Sequence, residues 1–135
     1  MNDVIEGKID IIVRNLEFLN DYRFVHEEEF LNSYKDVQAV KYSLLEIMEA
    51  CIDIASHIIS VKGFERAESY AEMFEILGKR GIISRDLAEK LADMARFRNL
   101  LVHGYARVDN ARVLEIVKEE LDDIEAFVKE ILAKL

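Results

Sequence analysis

Between Arg98 and Tyr105 the chain reads Arg-Asn-Leu-Leu-Val-His-Gly-Tyr, which places four polar groups of different chemistry in one short stretch. An arginine binds phosphate through its planar fork of N–H donors, an asparagine holds geometry with both ends of its amide, a histidine moves protons near neutral pH, and a tyrosine supplies a phenol. Leu87, Leu91 and Met94 recur at helical spacing, and the next core position falls on Arg98 where an apolar residue is expected. Asn99 and His103 share one face of that helix and Arg98 and Tyr105 another, with Gly104 expected to end the helix between them. A structural account fits the same residues. In it Arg98 snorkels or pairs with a carboxylate at the core edge, His103 sits against the helix dipole, and Tyr105 packs over the end of the fold.

The elements that hold this stretch must be helical. The chain has no proline and only five glycines, so backbone breakers are scarce and long helices are favoured. Ile5, Ile9, Ile12, Leu16 and Leu19 alternate in spacings of four and three and predict a first helix from Asp3 to Asn20. Glu27, Glu28 and Glu29 suit a first helical turn. A stripe through Tyr34, Val37, Lys41, Leu44, Met48, Cys51, Ala55 and Ile58 then predicts one continuous helix from Glu27 to Val61. Its breadth suggests burial on two sides, one in the core and one in a dimer interface. After Lys62-Gly63, Tyr70 to Leu77 form a shorter helix that Gly78 is expected to terminate. Ser84 is the expected N-cap of the helix leading to Arg98, and Asp109 or Asn110 that of a last helix carrying Val113, Val117, Leu121, Ile124, Val128, Ile131 and Leu135. Together these predict an all-α, up-and-down four-helix bundle with one short additional helix, as a single domain over residues 1–135.

The net charge of −9 argues against a general nucleic-acid binder, but the charge is unevenly spread. From Lys79 to Arg112 eight basic residues stand against four acidic ones, a segment of +4, while the remaining ten basic and 23 acidic residues make −13. Such asymmetry focuses an anion on one surface, although clustering on solvated helix faces produces the same count. Any bound RNA is expected along this basic surface. Cys51 stands alone in an apolar stretch, which excludes an internal disulfide and fits a buried, inert thiol in a reducing compartment. His26 and His57 lie apart from the cluster, and no grouping of histidine and carboxylate has ligand spacing, so no metal is expected. The N-terminus lacks a basic region followed by an apolar one, and the most apolar run is interrupted by Asp53 and His57. The chain therefore reads as soluble and cytoplasmic, with no membrane segment.

The string Arg98, four residues, His103, one residue, Tyr105 resembles the signature of the HEPN superfamily, and in particular of its HepT-like ribonuclease toxins, including the asparagine after the arginine. The resemblance extends over essentially the whole chain, with the Tyr70-to-Leu77 helix and the Gly81-Ile82-Ile83 turn before the motif helix. It implies the toxin of a type VII-like HEPN/MNT toxin–antitoxin system, a metal-independent endoribonuclease without cofactor. It further implies a homodimer, with Arg98 and His103 catalytic, Asn99 supporting them, and RNA as substrate. Tyr105 is then the acceptor of AMP from a cognate MNT-type nucleotidyltransferase antitoxin, a modification that adds bulk and negative charge beside Arg98. Two further readings stand beside this one. The bundle is a non-catalytic nucleotide- or substrate-binding partner of a nucleotidyltransferase, or a structural helical dimer whose motif caps the bundle.

Overall fold

The computed structural model describes residues 3–104 and 108–134, and every regular element among them is an α-helix. Helix α1 (Asp3–Asn20) runs as the stripe predicts, with Ile5, Ile12 and Leu19 buried. Two short-range breaks interrupt what the apolar pattern reads as continuous. At the first, Ser33 leaves the helical region (φ −105°, ψ 98°) and its Oγ accepts a hydrogen bond from the Asp36 amide at 3.2 Å. The expected long helix is therefore two, α2 (Glu27–Leu31) and α3 (Tyr34–Lys62). An N-cap offers the backbone a local partner, and here it outweighs the hydrophobic stripe running across it. Tyr34, placed on that stripe by spacing, is 80% exposed in the first turn of α3.

Helix α4 (Tyr70–Lys79) starts on the Ser69 cap, and α5 (Arg85–His103) on Ser84, whose Oγ accepts from the Leu87 amide. Gly78 does not end α4 as expected. It lies inside the last turn and is buried, and a Cβ there would stand 2.6 Å from the Ala88 Cβ. The missing side chain lets α4 and α5 touch, while Gly81 (φ 75°) makes the turn between them. The second break falls at Glu120 (φ −121°, ψ 0°), which divides the expected last helix into α6 (Asn110–Glu119) and α7 (Leu121–Lys134). Asp109 is the α6 cap, accepting from the Ala111 amide at 2.9 Å.

Four long units, α1, α3, α5 and the α6–α7 arm, form the expected bundle, with α4 the expected short addition and the five-residue α2 a second one. Helix α3 lies at its centre and meets α1, α4, α5 and α6, so the breadth of its stripe is used within the chain. Phe74 of α4 and Phe127 of α7 meet edge to face at 5.9 Å in the core. Within the apolar contact of α1 with α3 lies a polar joint. The buried Ser43 donates to Asn15 Oδ1 at 2.7 Å, and Asn15 Nδ2 donates to the Ile11 carbonyl and to Glu46 Oε1. Cys51 is buried as expected, and loss of water pushes its thiol up to about 12. No helix among the described residues is long and apolar enough to cross a membrane.

Candidate functional site

Helices α4 and α5 run antiparallel, because Gly78 at the end of one meets Ala88 near the start of the other, and Tyr70 at the start of α4 meets Arg98 near the end of α5. Between their far ends lies an open groove of about 540 Å³, walled by Ser69, Tyr70 and Met73 on one side and Arg98, Asn99 and His103 on the other. That is room for a nucleotide-sized ligand. The groove brings three of the four expected residues together. The fourth, Tyr105, lies outside the described residues.

Arg98 is held rather than free. Its Nε donates to Glu49 Oε1 at 2.6 Å, its Nη2 is paired with the same carboxylate oxygen, and its Nη1 donates to Asn99 Oδ1 at 3.1 Å. The Tyr70 ring lies under the guanidinium, 5.0 Å from Cζ, at cation–π distance. Only 14% of the Arg98 side chain remains exposed, so it occupies one defined place. Asn99 thus holds the arginine through its amide oxygen. His103 is exposed in the last turn of α5, where Gly104 is the C-cap and its amide donates to the Leu100 carbonyl at 2.6 Å. It lies one helical turn beyond Asn99, and an exposed imidazole exchanges protons readily with solvent and ligand.

Glu49 and Tyr70 escape the sequence reading, because their link to Arg98 is tertiary: Glu49 is 49 residues away on α3. The available signal was a carboxylate flanked by the core residues Met48 and Ala50. The basic segment also reads differently in three dimensions. Lys79 and Arg80 pair with Glu65, Lys90 with Asp86 and Asp123, Arg96 with Asp93, Arg98 with Glu49, and Arg112 with Glu115 and Glu120. Most of the surplus positive charge is therefore neutralised locally, and steering of a polyanion along this whole surface is weaker than the charge count implies. Elsewhere, a small apolar void lined by Met48, Cys51, Phe74 and Leu91 has only about 10 Å³ and no polar group to orient a ligand. No group of three or more His, Cys, Asp or Glu able to hold a metal occurs among the described residues.

An all-helical bundle with an Arg-x4-His pair set in a groove at a helix end is the architecture of the HEPN class. The chain belongs to the HepT-like ribonuclease family, whose profile, described as ribonuclease HepT-like, matches residues 12–131. It is 30% identical over 134 residues to the mRNA nuclease HepT of Shewanella oneidensis, covering 99% of this chain and all of that one. It is 29% identical to the tRNA nuclease HepT of Aphanizomenon flos-aquae, over 95% of this chain and 87% of the relative. Among solved structures, the tri-AMPylated Shewanella oneidensis HEPN toxin in complex with MNT antitoxin superposes with a TM-score of 0.90 at 30% identity, over 98% of this chain and 99% of that one.

Proposed function

We propose that this chain is the toxin of a HEPN/MNT pair, an endoribonuclease that cuts RNA without a metal at the groove between α4 and α5. The observation that carries this reading is the shared groove: Arg98, with N–H donors still open, and His103 stand on one wall of a nucleotide-sized cleft. In the reaction the ribose 2′-oxygen attacks the adjacent phosphorus as the bond to the 5′-oxygen breaks. One proton leaves the 2′-hydroxyl and one is given to the departing 5′-oxygen, yielding a 2′,3′-cyclic phosphate and a 5′-hydroxyl. Arg98 stabilises the negative charge on the crowded phosphate, and His103 carries the proton. One imidazole does not serve as acid and base in the same step. Two copies facing each other across a two-fold axis supply both, which is the reason for proposing a homodimer.

The MNT-type nucleotidyltransferase is the cognate antitoxin, and Tyr105 is the acceptor of AMP from it. The whole of residues 1–135 acts as one HEPN-like domain in the cytoplasm. Purified protein incubated with RNA in EDTA is expected to cut it, and His103→Ala is expected to lose about 10²–10⁴-fold in rate. Cleavage that requires a divalent metal, or that survives the substitution, rejects the mechanism. Mass spectrometry after co-expression with the nucleotidyltransferase is expected to find AMP on the wild-type chain and none on Tyr105→Phe.

A further inference from the structure

We infer that Glu49 and Tyr70 are positioning residues for the scissile phosphate, clamping Arg98 from its side edge and from one face so that only its terminal fork is presented to RNA. The inference rests on the nuclease reading of the groove and assigns two residues outside its motif.

A guanidinium carries five N–H groups. In Arg98 the Nε–H goes to Glu49 and one Nη1–H to Asn99, while Nη2 is paired with the same Glu49 oxygen. One N–H is left on each terminal nitrogen, a pair whose spacing matches two oxygens of a phosphate. A free arginine side chain has rotamer entropy to lose on binding. Here that ordering is complete before RNA arrives, because the carboxylate fixes the edge and the Tyr70 ring, 5.0 Å from Cζ, fixes the plane. The placement of Glu49 separates a clamp from a charge mask. Tyr70, Arg98 and Asn99 wall the groove, whereas Glu49 reaches Arg98 from α3 and is not among the lining residues. A phosphate in the groove meets Arg98 and not the Glu49 carboxylate, and the carboxylate that does line the groove, Glu68, is not a partner of Arg98.

The experiment is single-turnover cleavage of a short RNA in EDTA by the full chain, alongside binding of the same RNA with every 2′-hydroxyl methylated. Glu49→Gln is expected to lose about a hundredfold in the cleavage rate constant, the cost of a small misplacement, with affinity for the methylated RNA changed less than about threefold. In an Arg98→Ala background the same substitution is expected to add nothing, because Glu49 acts only through Arg98. Tyr70→Leu should lose about tenfold and Tyr70→Phe, which keeps the ring, markedly less.

A Glu49→Gln protein that cuts as fast as wild type or faster, and binds more tightly, makes Glu49 a mask and overturns the inference. So does an equal loss in the Arg98→Ala background, which marks a general folding role. Should Glu49→Gln fail to fold, the wild-type chain decides. Its Arg98 Nε–H, assigned by NMR through its disappearance in Arg98→Lys, is expected to exchange slowly with solvent, and exchange as fast as that of a free arginine overturns the clamp. Wild-type protein that leaves RNA uncut rejects the nuclease reading itself, whereas wild-type cleavage matched by Glu49→Gln rejects only the positioning role.

Discussion

Arg98 near the end of α5 and Arg112 in the first turn of α6 are both paired with carboxylates, but their partners differ in number and kind. Arg112 faces two. Its Nη1 reaches Glu115 at 2.6 Å and Glu120, and its Nη2 reaches the second Glu120 oxygen at 3.3 Å. Hydrogen bonding to Glu120 is the main reason its guanidinium is held even more firmly protonated than usual. The cluster is net negative and bolts α6 to the residue at which α7 departs. Arg98 instead faces one carboxylate, one neutral amide and one aromatic face, so its local charge is balanced and its terminal donors stay open. Each guanidinium uses three of its five N–H groups, so what separates the two is charge and the place of the open donors. Arg112 is outnumbered by its carboxylates, whereas Arg98 is balanced by one and keeps an open donor on each terminal nitrogen.

The largest effect that tests this contrast is on catalysis. Arg98→Ala is expected to lower the single-turnover rate by about 10²–10³-fold, as removal of a preorganised donor does. Arg112→Ala should leave that rate within about threefold. Equal losses would erase the distinction. Next comes geometry: Arg98→Lys should fall nearly as far as alanine, since an ammonium has no fork to fill the clamp. A smaller effect is on stability. Arg112→Ala is expected to cost at most about 1 kcal/mol in urea denaturation, shrinking with added salt because the side chain is partly exposed.

The smallest effect concerns Asp123, whose carboxyl is raised chiefly by desolvation, with Lys90 opposing and Glu120, Asp122 and Asp86 adding to the rise. The folded chain therefore binds this proton more tightly than the unfolded one, and stability falls as pH rises from the ordinary carboxylate range through the raised value. Asp123→Asn should melt slightly higher at neutral pH, with the gain vanishing below the ordinary carboxylate range. A lower melting point at neutral pH would show that its ion pair with Lys90 is the stronger influence.

What was legible in the chain follows from what is local. The first helix, the Ser84 and Asp109 caps and the gathering of Arg98, Asn99 and His103 near one helix end all depend on residues a few positions apart, and the structure has them. The Ser33 break was also local, but its cap signal lay under an apolar stripe that continued past it. Gly78 was legible as a punctuator and wrong as one, since its reason for being glycine is Ala88 on the next helix. The clamp on Arg98 had no local trace at all. Its parts come from α3, α4 and α5, and only the packing of those helices makes them neighbours.

Gly78 and Tyr70 are eight positions apart on one helix, about 12 Å at 1.5 Å per residue. Helix α4 is thus a lever whose fulcrum is the contact of Gly78 with Ala88 and whose tip is the ring beneath Arg98. A methyl group inserted at that contact would stand 2.6 Å from the Ala88 Cβ, so α4 and α5 would have to shift apart there. The close approach of α4 to α5 rests on an atom the chain leaves out, about two helical turns from the ring beneath Arg98.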